Sequence, residues 1–317
     1  MREVARNAGV FVGAAVEPRL LDEDPIYRET FRTEFDSLTA ENRMKWANVH
    51  PQPGVWVFEP ADELVEFAEA NGMRIRGHNL FWGRLSLPDY VRAATTAAEA
   101  RELLREHISA VAGRWAGRIA QWDVVNEPLT LTGQDQGTDG FQDNVMWRLV
   151  GPDYIAEALQ LAHAADPQAR LYINDFLVLG PGEKQDRLFA LAEHLLEIGA
   201  PLHGIGIQGH FEVVTPREIE TTMKRFASLG LEIELTEIDY GIDVFAGSPD
   251  EKLTAQARAY AVVAAGCVAN HACKGITTWG VTDLYSWLGV ERQPLLFDPV
   301  GTRKPAFFAF RDALATP

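Results

Sequence analysis

The chain has 317 residues, 45 acidic against 29 basic, and a net charge of −16. With the basic residues scattered, that balance speaks against nucleic acid and anionic membranes as partners and leaves a neutral polymer open as substrate. At 47% hydrophobic and 23% charged residues the composition is that of a globular protein, and no apolar run reaches the roughly eighteen residues of a membrane helix.

In chain order, GVFVGAAV at Gly9–Val16 reads as a first strand: Glu17 and Pro18 follow it, and no small-residue cleavage site is evident. A helix is predicted over Pro25–Glu34, then a strand at Asp36–Thr39 and a helix at Ala61–Ala70 that closes on Asn71-Gly72. The alternation continues with strand Met73–Leu80 and helix Thr96–Trp115, then strand Ile119–Val125 and helix Asp153–Ala165. Strand Arg170–Ile173 is followed by helix Lys184–Ile198, strand Gly204–Gln208 by helix Pro216–Leu229, and strand Leu231–Leu235 by helix Asp250–Asn270. Strand Gly275–Trp279 and helix Pro305–Leu314 end the series. Eight β-then-α units of roughly forty residues each predict a single (β/α)8 TIM barrel domain over 1–317. Buried parallel strands are short continuous apolar runs, as these are. An open doubly wound sheet is the competing architecture, but no Gly-rich phosphate fingerprint follows the first strand.

Such a barrel builds its active site at the C-terminal ends of its strands. Unusual residues gather at seven of the eight ends: Glu41, Asn42 and Lys45; His78, Asn79 and Trp82; Asn126 and Glu127; Asn174 and Asp175; Gln208 and His210; Glu237 and Asp239; Trp279, Asp283 and Trp287. Each alone has a bland explanation as a cap or a packing residue. Together they predict a cleft with two carboxylates, Glu127 and Glu237, facing each other across the barrel mouth. A carboxylate pair with aromatic platforms and amide donors suits glycoside hydrolysis, and a separation of roughly 5–5.5 Å gives retention of configuration. One group protonates the departing oxygen and the other attacks the anomeric carbon. His210 and Asp239 are positioned to hold a nucleophile ionised, Asn126 to bond a sugar hydroxyl, and Trp279 and Trp287 to offer flat faces to a pyranose. Cys267 and Cys273, six positions apart with His271 between, do not complete a zinc site; a disulfide and a pair of small buried residues both fit the spacing. No metal and no cofactor are expected.

The stretches ENRMKW, RGHNLFW, WDVVNEP, GIGIQGH, ELTEID and GITTWGVTDLYSW, in this order from about Ala40 to the last helix, resemble glycoside hydrolase family 10, the endo-β-1,4-xylanases. The resemblance implies a retaining endo-xylanase acting on xylan and xylo-oligosaccharides and favours a secreted protein over an intracellular form; a monomer is expected. It implies Glu127 as acid/base, Glu237 as nucleophile, and His210 and Asp239 as its support. Glu41, Asn42, Lys45, His78, Trp82, Asn126, Gln208, Trp279 and Trp287 match substrate-binding positions, and Cys267 and Cys273 resemble a family disulfide. Two stretches depart from the family pattern. Where many members have Trp-His-Ser-Gln, this chain has WGRLSLP, with Gly83 in place of histidine, Arg84 as a possible substitute donor, and no glutamine. NDFLVLG replaces a common Asn-Asp-Tyr-Asn. These changes bear on subsites more than on reaction class. A cellulase or mannanase with the same two-glutamate logic is the nearest rival, and a carbohydrate-binding barrel without turnover is the rival from another class.

Overall fold

The computed structural model describes residues 1–131 and 138–316. Eight parallel strands close into a barrel in chain order. They are β1 (Phe11–Val16), β2 (Ser37–Ala40), β3 (Arg74–Phe81), β4 (Gln121–Asn126), β5 (Arg170–Asp175), β6 (Gly204–Ile207), β7 (Glu232–Ile238) and β8 (Cys273–Thr278). Closure comes from β8 pairing with β1, Phe11 opposite Gly275 and Gly13 opposite Thr277. All six residues of β1 and of β4 are buried; β1 is an unbroken apolar run, whereas β4 interleaves Trp122, Val124 and Val125 with the buried polar Gln121, Asp123 and Asn126.

One long helix follows each strand: α1 (Pro25–Glu34), α2 (Glu59–Ala70), α3 (Ala97–Arg114), α4 (Tyr154–Ala165), α5 (Glu183–Glu197), α6 (Pro216–Ala227), α7 (Pro249–Val268) and α8 (Pro305–Leu314). Their starts are written in the sequence. Thr215 with Glu218 and Ser248 with Glu251 form capping boxes, each followed by a proline at the first helical position. Five shorter α-helices, Arg2–Asn7, Pro18–Glu23, Trp46–Val49, Asp89–Arg92 and Val145–Val150, go beyond the sequence expectation, being too short to establish a helical period.

Most strand boundaries differ from expectation by one to three residues, and two of the differences bear on the site and the disulfide. β7 continues through Glu237 to Ile238, because its ladder persists: the Glu237 amide donates to Gln208 O and the Trp279 amide to Ile238 O. Glu237 is therefore carried by the strand itself. β8 begins at Cys273, two residues earlier than predicted. Cys267 and Cys273 are disulfide-bonded, so the bond joins the last turn of α7 to the first residue of β8.

Inside the barrel lies a buried charge network. The Arg76 guanidinium donates to both oxygens of Asp123 and, at 2.5 Å, to Glu234 Oε2; Gln121 Nε2 donates to the same Glu234 carboxylate. Burial pushes the Glu234 carboxyl up despite Arg76. In Asp123 the guanidinium and His78 prevail over burial and hold the carboxyl below its ordinary range. Asp123 also bonds His78 Nδ1 at 2.9 Å, so the network reaches from the barrel interior to the cleft. Removing one partner of a buried ion pair costs about 3–5 kcal/mol because the other charge is stranded. Arg76→Met is expected to lower unfolding free energy by that order in urea titration. Adding Glu234→Gln should recover part of the loss, and a double variant no more stable than the single one would contradict the network's role.

Candidate active site

The C-terminal ends of the strands enclose a cleft of about 610 Å³. Every residue predicted for the site lines it except Asp239, which sits immediately behind His210. Asn79, Asn174, Asp175 and Asp283, noted at strand ends, do not line it. Asp283 is a packing residue: buried, it accepts from Lys304 Nζ at 2.9 Å and from the Leu295 amide. Asp175 holds Lys184 Nζ at 2.7 Å, and burial raises its carboxyl to about 6.

Glu237 accepts a hydrogen bond on each of its oxygens. Asn174 Nδ2 donates to its Oε1 at 2.7 Å, and His210 Nε2 lies 3.0 Å from its Oε2. Burial alone would raise this carboxyl; the His210 hydrogen bond and the nearby positive charge turn the shift downward. His210 is held from behind by Asp239 Oδ1 at 2.8 Å, and Trp287 Nε1 donates to Asp239 Oδ2, also at 2.8 Å. Burial would lower the imidazole, but the two carboxylates raise it to about 10, so it is an imidazolium at neutral pH.

Glu127 follows β4 with φ of +52°, a left-handed conformation that a non-glycine residue adopts at a cost and that re-aims its side chain at the strand end. Its Oε1 accepts from Gln208 Nε2 at 3.2 Å and from Asn126 Nδ2 at 3.4 Å. Its Oε2 is shielded from solvent, accepts no hydrogen bond, and has Arg84 Nη1 at 3.6 Å. A relay of amides connects the two glutamates: Asn174 Nδ2 donates to Glu237 and to Asn126 Oδ1, which also accepts from Gln208, and Gln208 donates to Glu127. Thr236 Oγ1 fixes Asn174 by donating to its Oδ1 at 2.7 Å, and Gly206 opposite leaves the space, since a Cβ there would collide with Asn174 and Arg76.

On the other flank, Lys45 Nζ donates to Asn42 Oδ1 at 2.9 Å and stands over the rings of Trp82 and Trp279, 5.0 and 5.8 Å from their centroids. Burial, aided by Glu17, raises the Glu41 carboxyl to about 7. Trp279 packs edge-on against His78 and His210 and is only 8% exposed, whereas Trp287 is 54% exposed and presents a free face. Among the described residues, no group of three or more His, Cys, Asp or Glu side chains is placed to hold a metal ion.

A family model, glycosyl hydrolase family 10, matches residues 1–313. The chain belongs to that family, and it is a glycoside hydrolase. It is 38% identical over 303 residues to a β-1,4-xylanase of Dictyoglomus thermophilum, covering 89% of this chain and 83% of that one. It is 34% identical to endo-1,4-β-xylanase B of Thermotoga neapolitana, over 99% of this chain and 91% of the other. Among solved structures it is similar to xylanase 10B from Thermotoga petrophila in complex with xylobiose, at TM-score 0.90 and 34% identity, covering 99% and 96% of the two chains.

The departures from the family 10 pattern have a structural basis. A Cβ on Gly83 would meet the Asn144 side chain at 2.7 Å. Asn144 caps the Val145–Val150 helix by accepting from the Met146 and Trp147 amides, so the volume beside Gly83 is occupied. Arg84 instead reaches across Glu127, its guanidinium 5.5 Å from the ring centroid of Phe176, the residue standing in NDFLVLG where Tyr is common. Three cleft participants went unassigned in the sequence: Asn174 as the bridge, Glu17 accepting from Asn42 Nδ2 at 2.8 Å and from Arg43, and Phe211 at the rim with φ of +60°. Only the Asn-Asp pair that closes β5 carried a sequence signal.

The raised His210 titration predicts a pH dependence. Its folded value lies above the unfolded one near 6.5, so its contribution is fully present below about 6.5 and is lost as pH rises through about 10. Between pH 6 and 10 the parent is expected to lose unfolding free energy, on the order of a few kcal/mol, beyond what a His210→Gln variant loses. Equal slopes by denaturant titration would overturn the assignment of an imidazolium.

Proposed function

We propose that this chain is a retaining endo-β-1,4-xylanase working by double displacement, with Glu237 as nucleophile and Glu127 as acid/base. The observation that carries the division of labour is the asymmetry between the two carboxylates. Glu237 takes a hydrogen bond on each oxygen, one from an imidazolium, and is held ionised. Among the described residues Glu127 accepts hydrogen bonds on one oxygen only, its Oε2 having the Arg84 guanidinium at 3.6 Å in place of a hydrogen-bond donor. Xylan as substrate is supported by the names of the relatives and by the xylobiose complex of the Thermotoga petrophila enzyme.

In the first step a Glu237 oxygen bonds to the anomeric carbon while the carbon–oxygen bond to the leaving sugar breaks, and Glu127 gives that oxygen its proton. In the second, Glu127 takes a proton from water, whose oxygen attacks the same carbon and releases Glu237. Asn126, bonded to both Asn174 and Gln208, is placed for the hydroxyl beside the attacked carbon. Trp279 and Trp287 supply apolar faces, and Glu41, Asn42, Lys45, His78 and Trp82 supply the polar wall of the sugar sites. The whole chain acts as one catalytic domain and works as a monomer. The disulfide supports an exported protein, since such bonds persist in oxidising compartments.

One relative, 34% identical over 95% of this chain, is named an exoglucanase, and this chain covers 28% of it. Release of reducing ends from xylan, and not from cellulose or mannan, separates the readings. Glu237→Ala is expected to abolish hydrolysis of every substrate. Glu127→Ala should lower kcat/KM on xylan by about 10²–10⁴-fold, yet still form the covalent intermediate from an aryl xyloside whose leaving group needs no proton. Azide should then restore turnover and give a β-glycosyl azide; an α-azide, or exchanged behaviour of the two variants, would reverse the assignment.

A further inference from the structure

We propose that Glu212 is a positioning residue for the cleft: its side chain latches the loop after β6 to the loop after β5 and so fixes Phe211 and Leu177, the apolar side chains that these loops present to substrate. This rests on the glycanase function proposed above and adds to it a residue outside the cleft that sets the shape of its rim.

Both loops are strained at the residues in question. Leu177, two positions past the end of β5, has φ of +54°, and Phe211, four positions past the end of β6, has φ of +60°. Neither is a glycine, asparagine or aspartate, so each stands in the left-handed region at a cost that the surrounding structure has to meet. Both line the cleft, and at 45% and 42% exposure their own burial supplies little of that restraint.

Backbone hydrogen bonding shows what supplies it. The carbonyls of the loop after β5 are held from the helical layer: Gln185 of α5 donates to Val178 O at 3.0 Å and to Gly180 O at 2.9 Å, and Thr222 of α6 donates to Leu179 O at 2.7 Å. The amides turn toward the other loop, where Glu212 Oε1 accepts from Leu179 at 2.9 Å and from Gly180 at 3.4 Å. Burial raises the Glu212 carboxyl to about 7, and the successive amides from Leu177 to Gly180 oppose that rise. A left-handed residue followed by N–H groups on one side is how a backbone cradles an anion, so the strain at Leu177 and the carboxylate belong together.

The other loop is held through the main chain of the same residue. The Glu212 amide donates to Gly209 O at 3.3 Å and closes a turn that carries His210 and Phe211. The strand ladder between the two segments ends with the Gln208 amide on Asp175 O. Past that bond, among the described residues, the hydrogen bonds that join these loops are those of Glu212. One residue therefore restrains both strained positions. His210 shares the turn, but its ring is fixed at both nitrogens by Glu237 and Asp239. The chemistry does not depend on the latch; the placing of two apolar rim faces does, and the consequence falls on sugar binding. The latch is also built on NDFLVLG, the stretch that departs from the common Asn-Asp-Tyr-Asn, so it belongs to the altered rim of this chain.

The test compares the parent with Glu212→Ala and Glu212→Gln by hydrogen exchange over peptides spanning 176–182 and by steady-state kinetics on xylohexaose. Glu212→Ala is expected to speed exchange at 177–180 by at least about tenfold. It should raise KM about three- to tenfold with kcat kept within about twofold. Glu212→Gln, whose carbonyl accepts from the amides without a charge, should fall between the two. A purely structural role would instead lower the active fraction, and with it apparent kcat, at constant KM. That result overturns the proposal, as does parent-like exchange at 177–180 or a parent-like KM in Glu212→Ala. If the alanine variant does not fold, Glu212→Asp, which draws the carboxylate back by one methylene, takes its place, and the same two readouts decide. A parent that cuts no xylo-oligosaccharide removes the xylanase reading instead, and exchange at 177–180 still decides the latch.

Discussion

A buried carboxylate that must stay ionised is the constraint around which this barrel is arranged. Glu237 is 4% exposed, and an isolated carboxylate there would take up a proton, which its proposed role as nucleophile forbids. The remedy is layered. His210 supplies a positive charge on one oxygen, Asn174 a neutral donor on the other, and Asp239 keeps the imidazole protonated and turned the right way. Trp287 then anchors Asp239, so an aromatic surface offered to sugar also serves the electrostatics behind it. Four strand ends are thereby tied to one functional group, which explains why the chain needs a closed barrel and not a loop to present it.

A similar chain of support runs beneath the opposite wall. His78 takes its orientation from Asp123, and Asp123 from Arg76, whose other arm holds Glu234 in the barrel interior. Stability and site geometry are in this respect one network: a residue with no contact to substrate fixes the angle of one that lines the cleft.

The barrel and its two glutamates were legible in the sequence for a physical reason. Parallel strands buried on both faces are predominantly apolar, so a Glu-Pro directly after one, as in WDVVNEP, stands out against its background. The end of β7 was less legible, because polar Thr236 and Glu237 look like a strand's exit when in fact the ladder carries them on. The bridging role of Asn174 was hidden altogether. Asn-Asp closing a short apolar run reads as ordinary loop chemistry, and only the approach of Asn126 from β4 and of Thr236 and Glu237 from β7 gives it a task. The same holds for Glu17, whose partners Asn42 and Arg43 lie a full βα unit away.

The contact between Gly83 and Asn144 bears on how this branch of the family could have diverged. With the Asn144 side chain in place, any larger residue at position 83 collides with a helix cap that two backbone amides depend on. The two positions are thus epistatic. A histidine could be lost from position 83 before or as Asn144 arrived, but it cannot be regained by a single substitution while Asn144 remains. The rim on this side of the cleft is therefore set by two positions together, not by either one alone.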